Sequence, residues 1–293
     1  MIHVPLIHSQ PHHYCRISTL WACIIFLVGL PINAAPTEDK SFDQLPVIAI
    51  IIDDLGQQLD YGLDVARLPG PVACSLLPHT PWAKQIGDAA AQSGKEVMLH
   101  LPLQPMETNR LSGIGEISLD NSRDELRLIL AADLTTVPHV SGINNHMGSL
   151  ITRHPGHMDW LMEEIATYEN LFFVDSYTSA QSVGLKLARE HGIPATRRQV
   201  FLDDVSGTDN LHFEFDRLVQ LAKVDGQALA IGHPYPETIG FLQKVIPHLS
   251  DYGVRLVSVS QLIVIQAAQA DGDLRTIEPS MPVMRNSKRS EGL

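Results

Sequence analysis

The residues best suited to chemistry stand at the ends of apolar runs. Val47 to Gly56 reads VIAIIIDDLG, a β-branched run that stops at Asp53 and Asp54. Such a run fits a strand buried on both faces, and parallel α/β folds gather their reactive groups at C-terminal strand ends. Side chains alternate along a strand, so the two carboxylates are expected to point in different directions. They can then take different tasks, one binding a metal and one handling a proton. For a lone pair of aspartates, a solvated strand end or a helix N-cap is the simpler reading. Here, however, other runs end in the same way. LLPHTP carries His79, LHLPLQP carries His100 and Gln104, and GINNHMGS carries Asn144, Asn145 and His146. FFVDSYT carries Asp175, FLDD carries Asp203 and Asp204, and IGHP carries His233. Imidazole and carboxylate are ordinary ligands of zinc and related divalent ions. Two histidines, one carboxylate and an open position make a catalytic arrangement, because the open position holds water. His154, His157, His191, His212 and His248 fall in or beside helical segments and are read as structural.

These ends do chemistry together only if the elements behind them converge. Apolar runs recur near 47–52, 72–77, 96–101, 140–144, 171–175, 198–202, 228–232 and 255–259. Helix-period segments lie between them. Trp82 to Ser93 is closed by Gly94, and Ser122 to Leu134 opens with Ser122 and Glu125 in capping-box spacing. Met158 to Tyr168, Ser182 to His191, Leu211 to Val224 and Thr238 to Tyr252 complete the set. The alternation implies an α/β fold with a parallel sheet covered by helices. Seven to eight parallel strands in this length match a (β/α) barrel, with a doubly wound open sheet as the alternative.

The chain divides into four expected parts: a signal peptide over 1–34, a linker over 35–46, the barrel domain over 47–268 and a polar flexible tail over 269–293. Leu20 to Leu30 is too short to span a bilayer, and small residues follow it, with cleavage expected after Ala34. An uncleaved N-terminal anchor is the alternative. The expected location is secreted, in the periplasm or cell envelope, with no integral membrane span once the leader is removed. Of the three cysteines only Cys74 lies outside the leader, so no intrachain disulfide is available. Formal net charge is −12, and removing the leader with its single Arg16 makes it one unit more negative. That balance argues against nucleic acid as a partner.

The rims resemble the NodB-like polysaccharide deacetylase family, and more closely its divergent branch of uncharacterised secreted proteins, from about Val47 to Ile263. IIDDLG resembles the first motif of that family, which implies Asp53 as general base and Asp54 as metal ligand. Gly94-Lys95-Glu96 followed by His100-Leu101-Pro102-Leu103-Gln104-Pro105 resembles its second, His-Ser/Thr-x-x-His-Pro. His100 falls on the first histidine, but Gln104 replaces the second. An amide oxygen is a poor zinc ligand beside imidazole. GINNHMGS stands in place of the Arg-x-Pro-x-Gly loop, so the arginine that orients the base is missing. His146 is expected to supply the lost ligand, giving Asp54, His100 and His146. Asn144, Asn145 and Gln104 are expected beside substrate or around the ligands. IGHPYPET resembles the last motif, which implies His233 as general acid. Asp175 is expected to orient or tune one of these groups.

The resemblance implies a metal-dependent hydrolase, with zinc as the cofactor, that removes acetyl groups from N- or O-acetylated carbohydrate such as cell-wall glycan. Two alternatives stay open: a non-catalytic carbohydrate-binding or scaffold protein of the envelope, and a metal-dependent hydrolase of another amide, ester or phosphoester. Aromatic residues make up only 6% of the chain, which argues against a long sugar groove.

Overall fold

The computed structural model describes residues 45–107, 112–205 and 207–277. The expected leader and nearly all of the linker lie outside these residues, as does the end of the expected tail. β1 (Val47–Leu55), β2 (Ala73–Leu76), β3 (Val97–Leu103), β4 (Val140–Met147), β5 (Phe172–Asp175) and β6 (Ala195–Arg197) pair in chain order. β7 (Val200–Phe201) pairs β8 (Gln227–Gly232), and β8 returns to the far side of β1. Every pairing is parallel. A doubly wound sheet would reverse its order beside the first strand. Here the last long strand wraps round to β1, so the sheet is curled as in a (β/α) barrel.

The curled sheet has an unusual join. β6 pairs only β5 and β7 pairs only β8, yet Arg198 and Gln199 alone separate them. Arg198 N donates to Asp175 O at 3.0 Å, and Gln199 N donates to Leu229 O at 3.0 Å. One short stretch therefore changes partner midway and links the two edges covalently. The sequence reading placed a single strand near 198–202 here. It also expected an eighth strand over 255–259. Only β9 (Arg255–Leu256) forms there, as a short addition beside β1.

The helices α1 (Leu59–Ala66), α2 (Ala83–Gln92), α3 (Arg123–Thr136), α4 (Pro155–Ile165), α5 (Gly184–Glu190), α6 (Thr208–Asp225) and α7 (Pro236–Val245) alternate with the strands. Ser122 caps α3 in the expected capping box with Glu125. α1 carries no clear helical period in the sequence, because its eight residues span little more than two turns. α8 (Val259–Ile277) runs past residue 268, where the polar tail was expected to begin.

Strand alternation sorts the core into two layers. Ile48, Ile50, Ile52, Leu99 and Leu101 pack outward in the larger cluster shared with the helices. Val47, Ala49, Ile51, Ala73, Met98, Phe172, Val174, Leu229 and Ile231 form a separate inner cluster. Val257, Val259, Leu262 and Ile263 join that inner cluster from the first turns of α8. β9 sits at the start of β1, so α8 closes the N-terminal end of the curl. Glu96 fixes it there by accepting from Val259 N at 2.8 Å and Ser260 N at 3.1 Å. Continuing each inner column toward the other end reaches Asp53, Ser75, His100, Asn144, His146, Ser176 and His233. An apolar plug thus gives way to a polar layer at the C-terminal rim.

Candidate metal centre

Asp53 and Asp54 do not diverge as alternation predicts. The register of β1 against β2 shifts between Ile52 and Leu55, and Asp54 takes a left-handed φ of 57°. That conformation is strained for a residue with a Cβ, and such strain gathers at functional sites. It brings both carboxylates to one imidazole. His100 Nε2 lies 3.2 Å from Asp54 Oδ1 and 3.6 Å from Asp53 Oδ2.

β4 delivers the third group. His146 Nδ1 lies 3.0 Å from His100 Nε2 and 3.0 Å from Asp54 Oδ1. The ligand-type atoms of Asp54, His100 and His146 all fall within 4.8 Å of one another. Asp54 Oδ1 is buried with no hydrogen bond among the described residues. Burial alone would raise the Asp54 pKa, but the adjoining His100 and His146 outweigh it and hold the carboxyl well below its usual range. Burial would lower the His100 pKa, yet the Asp53 and Asp54 charges prevail and raise it. An orphaned oxygen and two nitrogens converging amid negative charge fit a divalent cation of the zinc type.

Asn144 sets the orientation of this group. Its Nδ2 donates to Asp53 Oδ1 at 2.9 Å, to Asp53 Oδ2 at 3.1 Å and to Ser176 Oγ at 3.2 Å. A carboxylate only accepts, so the amide nitrogen must face Asp53 and the amide oxygen must face the other way. Asn144 Oδ1 therefore accepts from Ser75 Oγ at 2.6 Å and from His100 Nδ1 at 3.1 Å. With the proton on Nδ1, His100 presents the lone pair of Nε2 to the cluster. The Asn144 amide does for Asp53 what the missing arginine was expected to do. Asn144→Leu is expected to weaken zinc binding by about 10- to 100-fold. It should also cost about 1–3 kcal/mol for each buried group left unpaired. Zinc competition titration and urea unfolding check both effects, and unchanged zinc affinity would refute the orienting role.

Across the rim, His233 follows β8. Its Nδ1 lies 2.8 Å from Asp203 Oδ1, and its backbone N donates to Asp203 Oδ2 at 2.7 Å. Thr238 Oγ1 donates to that same oxygen at 2.7 Å. The ring packs between Phe201, with centroids 6.0 Å apart, and Tyr235, at 5.7 Å. Burial pulls the His233 pKa down, but the Asp203 hydrogen bond and charge, with Asp53 and Asp54 beyond, carry it up to about 9.

Three expected site residues lie elsewhere in the network. Asp175 makes its hydrogen bonds to the loop that follows it rather than to the ligand cluster. It accepts from Tyr177 N at 2.9 Å, Ser182 Oγ at 2.6 Å and Leu185 N at 3.3 Å, which holds the start of α5. Asp203 fills the orienting role instead. Its signal was the carboxylate pair ending FLDD, which the sequence reading noted at a rim without assigning it a role. Asn145, one residue out of phase with Asn144 and His146, bonds Met147 O and Ser176 N. Its amide is taken up in holding the rim backbone. Gln104 Oε1 accepts from Leu119 N at 2.9 Å and so pins the following loop. His79 pairs at 2.8 Å with Asp133, a buried carboxyl of α3 pushed up to about 7 chiefly by burial.

A family model described as divergent polysaccharide deacetylase matches residues 50–263. The chain belongs to that family. It is 34% identical over 216 residues to the uncharacterised protein YibQ of Escherichia coli K12, covering 74% of this chain and 67% of that one. It is 32% identical over 215 residues to an uncharacterised protein of Haemophilus influenzae Rd, covering 73% and 76% of the two. An uncharacterised protein, ATU2773 of Agrobacterium tumefaciens C58, shares the fold with a TM-score of 0.71 at 22% identity, over 76% of this chain and 91% of that one. The cluster takes its third ligand-type group from β4.

Proposed function

We propose that this chain is a metal-dependent carbohydrate deacetylase, acting outside the cytoplasm, with zinc held by Asp54, His100 and His146. The observation that carries this reading is the convergence of those three groups with the buried Asp53 on one side and the Asp203–His233 pair on the other. When bound, such an ion supplies Lewis acidity toward a carbonyl and acidifies water. Asp53, held by Asn144 Nδ2, takes the proton lost by attacking water. His233 holds a proton on Nε2 at neutral pH, because Asp203 raises its pKa, and delivers it to the departing amine or alcohol. A cleft of about 210 Å³ beside Asp54 and His233 is lined by Tyr61, Tyr235, Gln57 and Gln58. Aromatic faces and side-chain amides suit a neutral sugar ring.

Extracytoplasmic action rests on the leader-like run Leu20 to Leu30, which lies outside the described residues. Among the described residues no helix is long and apolar enough to cross a membrane. The test combines metal analysis with acetate release from N-acetylated chito-oligosaccharides. The wild-type chain should carry about one zinc. His146→Ala should lose at least about tenfold in zinc affinity and all detectable acetate release. Full zinc binding by His146→Ala would remove His146 from the ligand set. A zinc-loaded wild type that releases no acetate from sugars or aryl acetates would refute the deacetylase reading.

A further inference from the structure

We propose that Arg198 binds a carboxylate of the substrate, so that the acetylated sugar taken at this site is an acidic one; this rests on the carbohydrate reading above. A cavity of about 550 Å³ on the same rim is lined by Met147, Tyr177, Arg198, Phe201 and Asp204, among others. Met147 directly follows His146, and Phe201 stacks on His233. Through Phe201 the cavity adjoins the His233 flank of the rim.

Arg198 is fixed in place with one edge left open. Its guanidinium carbon lies 3.5 Å from the centre of the Phe201 ring. Its Nε donates to Ser176 O at 2.7 Å, and its Nη2 donates to Tyr177 O at 3.0 Å. Those bonds occupy one edge of the planar fork. Nη1, and the second hydrogen of Nη2, have no acceptor among the described residues, and the side chain lines the cavity. Burial lowers the Arg198 pKa to about 10, so the group is desolvated yet fully charged at neutral pH. A pre-oriented, partly desolvated guanidinium edge matches the two oxygens of a carboxylate.

Neighbouring charges narrow the ligand further. Arg217, the other lining cation, is already paired with Glu214 and donates to Gln199 O at 3.2 Å. Asp204 and Glu107 also line the cavity and are exposed. These exposed carboxylates disfavour a second negative charge on the ligand. They favour a monoanionic carboxylate over a phosphate dianion.

N-acetylmuramic acid and N-acetylglucosamine make the test, because they differ by one lactyl ether carboxylate. Both are titrated calorimetrically into the zinc-loaded full-length chain. The wild type should bind the acidic sugar about tenfold tighter. Arg198→Ala should abolish that preference, so that the two sugars bind within about twofold of each other. Asp204→Asn, at an exposed position, should strengthen binding of the acidic sugar alone. This variant and Arg198→Lys, which should weaken the preference without erasing it, decide the matter if Arg198→Ala does not fold. Equal affinities in the wild type, binding of neither sugar, or a preference that survives Arg198→Ala would each overturn the proposal. The last result would place the carboxylate on the metal. Acetate release is read separately: a preference without release sinks the deacetylase reading alone, and release without a preference sinks only the role of Arg198.

Discussion

Asp53→Asn is expected to lower acetate release by about 10²- to 10⁴-fold while leaving zinc content unchanged. The substitution keeps the shape of the side chain and one oxygen to accept from Asn144 Nδ2, so the packing around it should survive. What it removes is a base. Asp53 is 2% exposed and lies beside His100, but it is not one of the three converging ligand atoms. The split between metal binding and turnover is therefore the signature to measure, by metal analysis and by single-substrate kinetics on the same preparation. Hydrolysis that persists in Asp53→Asn at the wild-type rate would dismiss Asp53 as the base. Loss of zinc along with activity would instead make it a ligand.

The second large effect concerns pH. His233 must be protonated to act as an acid, so activity should fall as pH rises through its pKa. In the chain without metal that value lies at about 9. A bound cation opposes the contribution of Asp54, so in the zinc-loaded protein the alkaline limb should lie somewhat below that. Asp203 supplies the largest raising influence through its hydrogen bond and charge. Asp203→Asn should accordingly shift the alkaline limb toward the ordinary histidine value of about 6.5, costing up to about 30-fold in rate near pH 8. His233→Ala should cost about 10²- to 10⁴-fold at all pH values. Rate profiles from pH 5 to 10 for the three proteins check this. An alkaline limb unmoved by Asp203→Asn would detach that carboxylate from the chemistry.

How much of this was legible in the sequence depends on geometry that strands impose. Asp54, His100 and His233 announce themselves because each ends an apolar run, and parallel strands carry such ends to one rim. His146 could be singled out because Gln104 leaves a ligand vacancy that only a neighbouring rim could fill. The choice between Asp175 and Asp203 was not readable in the same way. Both are buried carboxyls at successive rims, and only the change of partner between β6 and β7 sets Asp203 against β8 and His233. Asn144 and Asn145 differ by a single step of alternation, so their opposite uses depend on register, which composition does not encode. The left-handed turn at Asp54 was equally hidden, because it arises from a register shift against β2 rather than from a glycine signal.

That change of partner has a mechanical consequence. His100 and His146 are anchored on β3 and β4, which stay paired from Met98 to Met147, whereas Arg198, Phe201 and Asp203 ride on a stretch tied to each side by a few backbone bonds. Local opening is cheapest where such ties are few. The flank that carries Asp203 should therefore yield more readily than the one that carries His100 and His146, which makes the rim a vice with one fixed jaw and one sprung jaw.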